Sequence, residues 1–310
     1  MKDRATRANT IIIVAGGKES YSYKGFLSEG YKVYPPYKKV SILLRVLREI
    51  WFRIPVIPKS IWFDKSVLKE SPEYVVMRDG LITRAYIKWI KKIFGTAQIN
   101  FLYENMVGRA RHLYPDKIPD YVRVWTYDGY DSRKYGIRLK NTSNYFPAFV
   151  YPAKEKKYDL LFVGEDKGRG DAILKLKDFL EQEGLKMKVH IVAESRLDRK
   201  KAYYKARVPY EQISQWVAES KAILNVALEN QEGLTVRDFE SIFNAVKLVT
   251  TNEFIKKTPI YDEHNVFILN HDNWEELAVF LREPYVEKKD IQLADFSTEK
   301  MILEITGEDF

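Results

Sequence analysis

Two carboxylates, Glu232 and Glu240, flank the phrase Gly-Leu-Thr-Val-Arg-Asp-Phe, seven residues long. Gly233 permits close backbone approach, Leu234 leads into Thr235, a good helix N-cap, and residues 236–245 read as the helix. The uncommitted N–H groups of such a helix start, together with its dipole, make a site for an anion such as a diphosphate. Arg237 falls in the first turn, where a cation opposes the dipole unless something negative is bound, and its planar fork suits phosphate oxygens. Glu240 follows a little over one turn beyond Thr235, placed for its carboxylate to reach the hydroxyls of a ribose attached to that diphosphate. The plainer alternative is two acids on the solvated face of an amphipathic helix.

Other groups of the right type lie at the ends of apolar runs. Gly164 closes the run DLLFVG, and Lys167 and Arg169 follow in the glycine-bearing stretch EDKGRG, bringing two cations and backbone N–H groups to one place. That stretch suits a phosphate, or it is a solvated charge run. Gly16 and Gly17 close the first apolar run, TIIIVA, where a paired glycine lets a ligand approach a strand end or simply makes a tight turn. Asp79 and the pair Glu104-Asn105 fall just beyond two further runs, and Glu19 follows the first. Each carboxylate is of a type that takes a proton from a hydroxyl, and each can equally cap a helix or hold a loop.

The elements that must position these groups alternate between strand and helix. Residues 222–228 and 247–250 read as short buried strands on either side of the Glu232–Glu240 phrase. Residues 10–15, 73–80, 96–106, 159–164, 188–193 and 265–270 read likewise, with helical periods over 81–95, 171–182, 210–219 and 273–284 between them. That succession predicts α/β architecture with parallel sheets. Leu43, Leu44, Leu47, Ile50 and Trp51 recur at helical spacing among Lys38, Lys39, Arg45, Arg48 and Arg53. A core-facing helix with solvated arginines is the plainer reading there, and a helix on an anionic membrane surface the other. Residues 194–207 form a strongly basic stretch with Tyr203 and Tyr204 interleaved, suited to a solvated surface or to a nucleic-acid backbone.

Length and composition bound the possibilities. A chain of 310 residues with 45% hydrophobic content can build two domains, each with its own core. It has no cysteine, which removes disulfides, thiolate nucleophiles and cysteine-based metal sites. The four histidines show no ligand spacing, and no D-x-D occurs, Asp128 and Asp131 being separated by two residues. There is neither a G-x-G-x-x-G after the first strand nor a G-x-x-x-x-G-K-[ST], so a dinucleotide-binding or Walker-type nucleotide site loses support. A net charge of +8 implies affinity for anions: nucleic acid, an anionic membrane or phosphorylated sugars. The polar start MKDRATRANT and the short run after it resemble neither a signal peptide nor a membrane span, so a cytoplasmic location is the expectation.

The phrase EGLTVRDFE followed by KLVTTN resembles the donor-site element of GT-B glycosyltransferases. YDLLFVGEDKGRGDAI resembles the opening strand, loop and helix of a GT-B C-terminal domain, and VRVWTYDGYDSRKYGI the run before it in bacterial capsule and lipopolysaccharide enzymes. The resemblance is to glycosyltransferases of bacterial capsular, exo- or lipopolysaccharide biosynthesis, with galactofuranosyltransferases as one candidate kind. It implies two doubly wound Rossmann-like domains facing a cleft: residues 1–150 on the acceptor side, 151–285 holding the donor, and 286–310 packing back on the first. It implies a nucleotide-sugar donor, a UDP-sugar foremost, bound by Gly16, Gly17, Gly164, Lys167, Arg169, Gly233, Leu234, Thr235, Arg237 and Glu240, with Glu240 on the ribose. The acceptor would be a glycan or lipid-linked glycan, with Asp79, Glu104 or Glu19 as base, no metal, no cofactor and no nucleic-acid partner. The cytoplasm, at the inner face of the cell membrane, is the expected place of work. A non-catalytic partner in a membrane polysaccharide complex and a basic nucleic-acid-binding protein remain the alternatives from other classes.

Overall fold

The computed structural model describes residues 4–15, 17–54, 56–109, 113–140, 145–152, 154–194, 201–287 and 293–307. The chain divides into two compact units, one of residues 1–146 with 295–310, the other of residues 147–294.

The first unit alternates β1 (Thr10–Ile13), α1 (Tyr21–Ser28), β2 (Lys32–Tyr34), α2 (Ile42–Arg53), β3 (Tyr74–Arg78), α3 (Arg84–Ile93), β4 (Gln98–Tyr103), β5 (Val122–Thr126), α4 (Gly129–Tyr135) and β6 (Arg138–Leu139). Its strands pair in the order β2-β1-β3-β4-β5-β6, every pair parallel. β1 and β3 are buried along their whole length, as the apolar runs TIII and YVVMR require of strands covered on both faces. The core joins Ile11, Ile13, Val75 and Met77 of these strands to Tyr86, Ile87 and Ile90 on one side of α3.

α2 departs from the expected core-facing helix. Ser41 caps it through the Leu44 N–H, yet the one residue it buries is Arg48, while Leu43, Leu47 and Ile50 stand exposed. The helical period was real, but the face that packs on the rest of the unit carries Arg48, lying over the Tyr37 ring, and Phe52 beside that ring.

The second unit runs β7 (Tyr158–Glu165), α5 (Gly170–Gln182), β8 (Met187–Val192), α6 (Tyr210–Ala218), β9 (Ser220–Asn225), α7 (Val236–Phe243), β10 (Lys247–Thr250), β11 (Val266–Ile268) and α8 (Trp274–Arg282). The order is β11-β10-β9-β7-β8, again all parallel. The final helix, α9 (Thr298–Thr306), is counted with the first unit and buries Met301, Ile302 and Ile305. Gln98 Nε2 of β4 donates to the Thr306 carbonyl at 3.1 Å, and Arg123 of β5 to that of Gly307.

Both sheets are doubly wound. In each unit the second strand lies on one side of the first and the third on the other, so the winding reverses between β1 and β3, and between β7 and β9. At such a reversal the loops leaving the two strands part company, which opens a crevice at the carboxyl edge of an open sheet. That edge is where chemistry is to be sought.

Candidate functional site

At the switch point of the second unit, Arg169 joins the two loops. Its Nε donates to the Asp166 carbonyl at 3.3 Å, its Nη2 to that of Glu165 at 3.1 Å, and its Nη1 to that of Val226, just past β9. An arginine so engaged positions backbone, a use distinct from the expected diphosphate contact. Lys167, beside it, is partly exposed and holds a left-handed φ of 49°, with Gly168 at 81° completing the tight turn. Gly164 lies inside β7 opposite Ile191, and a Cβ there would meet the Phe162 ring at an ordinary 3.6 Å.

Asp166 organises the same turn from below. It accepts from the Gly170 N–H at 2.7 Å and from the hydroxyls of Tyr203 at 2.9 Å and Tyr204 at 2.6 Å. Burial opposes its charge, but those bonds and nearby Lys201 outweigh burial and hold the pKa below the usual value. A Cβ on Gly170 would fall 2.4 Å from the Tyr203 hydroxyl, so close packing there depends on glycine. Lys201 also pairs with Asp171 at 3.2 Å and Arg207 with Glu165 at 2.5 Å. Lys201 and Arg207 of the basic stretch are therefore engaged with this unit's own acids; residues 195–200 lie outside the described residues.

The β9–α7 loop is fastened on both sides. Thr251 Oγ1 accepts from the Ala227 N–H at 2.8 Å, and Asn252 Nδ2 donates to the Glu232 carbonyl at 3.3 Å, so the residues after β10 hold the loop that carries Gly233 and Leu234. Thr235 caps α7 in a reciprocal box with Asp238, whose carboxylate accepts from the Thr235 N–H at 2.6 Å. Asn225, the last residue of β9, donates to both oxygens of Asp238 at 2.8 and 3.0 Å. Burial pushes the Asp238 pKa up, with the Thr235 and Asn225 bonds opposing. Thr235 itself takes two early N–H groups of α7, those of Arg237 by its hydroxyl and of Asp238 by its carbonyl. The helix start thus offers an anion fewer donors than a bare one.

Glu240 is buried, and both its oxygens are engaged. Arg237 Nη1 pairs with Oε2, and the hydroxyl of Tyr210, the first residue of α6, donates to Oε1. The Phe149 ring stands edge-on to Tyr210 at 4.9 Å. Both α6 and α7 begin at the carboxyl edge because each precedes or follows a parallel strand in a crossover. Thr235, Arg237 and Glu240 thus do converge, with both Glu240 oxygens already engaged.

The first unit gathers a second set. Asp79 follows β3, half-buried, with its Oδ2 accepting from the Asn105 N–H at 3.2 Å and the Asn105 side chain at 3.4 Å. Burial, then the nearby Glu104 charge, raise its pKa to about 6 against the opposing pull of Arg78. Glu104 pairs with buried Arg78, whose guanidinium lies 5.2 Å over the Phe26 ring. Burial works against the Glu104 charge, but Arg78 and Lys140 outweigh it and hold its pKa below the usual value. Burial in turn lowers the pKa of Lys140. One oxygen of Glu104 and one terminal nitrogen of Arg78 are buried without a hydrogen-bond partner among the described residues.

The remaining candidates stand apart from this set. Glu19 is 89% exposed and pairs with Lys24 at 2.9 Å, so its carboxylate points into solvent. Gly17 turns the chain after β1 with φ 76°, and Gly16 lies outside the described residues. Sequence reasoning missed Arg78 and Lys140 here, and Asp166, Tyr210 and Asp238 in the second unit. The Thr-x-x-Asp spacing of the α7 cap was a readable signal; Lys140, contributed by the end of a distant strand, carried none. Among the described residues no group of three His, Cys, Asp or Glu side chains is placed to hold a metal ion.

No protein-family profile matches the chain. No curated protein sequence matches it either. Among solved structures, the lipopolysaccharide outer core galactosyltransferase WaaB in its apo form is similar at 14% identity, covering 96% of this chain and 94% of that one, with a TM-score of 0.43. The UDP-GlcNAc 2-epimerase of Methanocaldococcus jannaschii is similar at 12% identity over 96% of this chain and 97% of that one, with a TM-score of 0.45. The glycotransferase of kitacinnamycin is similar at 9% identity over 95% and 94%, with a TM-score of 0.40. These likenesses run the length of the chain and concern its course, not what it binds.

Proposed function

We propose that the chain is a glycosyltransferase, moving a hexosyl group from a nucleoside diphosphate sugar held by the second unit to a hydroxyl of a glycan or lipid-linked glycan held by the first. The observation that carries this reading is the Glu240–Arg237–Tyr210 cluster on helices that begin at the switch edge of a doubly wound unit. A carboxylate and a guanidinium that neutralise each other when nothing is bound can exchange partners when a nucleotide arrives. Arg237 turns to the diphosphate, and the freed Glu240 oxygen accepts from a ribose hydroxyl. Lys167, at the tip of the neighbouring turn, adds positive charge where the leaving diphosphate gains negative charge.

On the acceptor side Asp79 outranks the other two carboxylates. A base must be ionised yet not too weak, and a pKa of about 6 suits a proton transfer near neutrality. Glu104 is held as an anion by Arg78, and Glu19 lies in solvent. In a transfer with inversion, Asp79 takes the acceptor proton as that oxygen bonds to the anomeric carbon, and the bond from that carbon to the diphosphate oxygen breaks. The absence of a D-x-D motif makes this a metal-independent reading, in the setting of bacterial surface polysaccharide synthesis that the sequence resemblance suggested.

The test is a thermal-shift panel of UDP, GDP, CDP, dTDP and their sugar conjugates on the wild-type chain and Glu240→Gln. A nucleotide at a hundred times its Kd adds about 2.7 kcal/mol to stability. Stabilisation by one nucleotide, lost in Glu240→Gln, is the expected result and selects the donor for a turnover assay. A panel in which no nucleotide stabilises the folded wild type overturns the reading.

A further inference from the structure

α2 is a formed helix turned the wrong way for a soluble surface. Ile42, Leu43, Val46, Leu47 and Ile50 are 68, 82, 56, 44 and 52% exposed. At 100° per residue these five fall within about 140° of the helix circumference, and Arg48 and Phe52 lie on the opposite side. That opposite side is the one held by the protein, Arg48 being buried 4.7 Å over the Tyr37 ring and Phe52 standing 5.6 Å from it. The richer apolar stripe therefore faces away from the core. Ile54 and Val56 continue the exposure beyond the helix at 38 and 89%. Scattered exposed leucines need no explanation, but five aliphatic side chains on one helical face form a patch of the kind that marks an interaction surface.

We propose that this face docks the first unit onto an anionic lipid surface. The flanking charge chooses the occupant. Lys38, Lys39, Arg45 and Arg53 are exposed around the stripe, and the acid on the helix, Glu49, lies beside Arg48 at 3.5 Å. In a two-fold contact with a second copy these cations would meet one another, whereas anionic headgroups neutralise them while the aliphatic stripe enters the acyl boundary. Trp51 stands at the margin of the stripe, edge-on to Trp62 at 6.2 Å, its indole N–H donating to the Pro58 carbonyl at 3.1 Å. An amphipathic ring with its polar end satisfied suits the headgroup layer. No helix among the described residues is long and apolar enough to cross a membrane, so the docking is peripheral. The inference stands independently of the nucleotide site.

The chain has no cysteine, so Val46→Cys is a unique site for an environment-sensitive dye. The labelled full-length chain would be titrated with vesicles of phosphatidylglycerol mixed into phosphatidylcholine and with phosphatidylcholine alone, and unlabelled protein followed by co-sedimentation. The expected result is a blue-shifted dye and binding that grows with the anionic fraction and falls with salt. Leu43→Ser/Leu47→Ser should weaken partitioning at least about tenfold. Because both leucines are exposed, its melting temperature should match the wild type; a second pair, Lys38→Gln/Lys39→Gln, should lower salt sensitivity with the stripe intact. Equal binding by wild type and Leu43→Ser/Leu47→Ser overturns the proposal. So does failure of the wild type to bind anionic vesicles, including the case where sedimentation shows a dimer that this double substitution dissociates.

Discussion

The Asp79 carboxyl is the residue on which pH should act most visibly. Its pKa rises from the ordinary 3.8 to about 6, chiefly because burial disfavours its charge. Between those two values the folded chain holds a proton that the unfolded chain has released, so stability falls as pH rises through that window. The total is about 3 kcal/mol, lost by pH 7. Asp79→Asn should remove that slope, leaving urea midpoints between pH 4 and 6.5 flatter than those of the wild type. If Asp79 is the base, kcat/KM for transfer should rise with pH through an inflection near 6, and Asp79→Asn should lose about two to four orders of magnitude and the inflection with it. Asn at this position retaining a wild-type profile would move the role elsewhere. Asp79 was legible because it follows a strand in sequence. Arg78, one residue earlier, was not, since an arginine ending an apolar run reads as solvated; its burial against Phe26 and Glu104 arises from long-range packing.

Among the elements, α7 shows how a local rule and a long-range one combine. Thr235 as N-cap follows from residue type, and its box with Asp238 from a three-residue spacing, but that Asn225 reaches both oxygens of the same carboxylate depends on how β9 meets the helix. Asp238→Ala removes the acceptor of the Thr235 N–H and of Asn225, leaving Asn225 buried with two lost contacts, so it should cost about 1–3 kcal/mol; Thr235→Ala should cost ~1 kcal/mol. Because both act on one box, the double substitution should cost less than the sum, which urea unfolding of the four chains measures directly. Additive losses would mean that the cap and the Asn225 tie act separately. α2 teaches the complementary lesson. Its period was readable, but a period records that a helix has an apolar stripe, not what covers it. Here Arg48 and Phe52 took the inward face, and no local signal distinguishes that outcome from a helix rotated by half a turn.

At the scale of the whole chain the two units share one winding. β2-β1-β3-β4-β5 and β8-β7-β9-β10-β11 are the same order, with β6 added to the first. The alternation of strand and helix predicted parallel sheets, yet strand order rests on pairings between distant segments that no period encodes. Arg169 illustrates this: in sequence it is a loop cation beside a glycine, and in the fold it spans the switch point to the Val226 carbonyl. The last helix makes the same point for the first unit. α9 buries Met301, Ile302 and Ile305 there, its end is bonded by Gln98 and Arg123 of two adjacent strands, and Tyr145 donates its N–H to the Phe296 carbonyl at 3.3 Å. A helix held by apolar contacts from the far end of the chain should be a stability determinant of that unit alone. Ile305→Ala, at a side chain with no exposure, should cost about 3 kcal/mol. In hydrogen exchange the slowest amides of β3, β4 and β5 should then exchange about a hundredfold faster, while those of β7, β9 and β10 keep wild-type rates. Equal acceleration in both sheets would show instead that the units unfold as one.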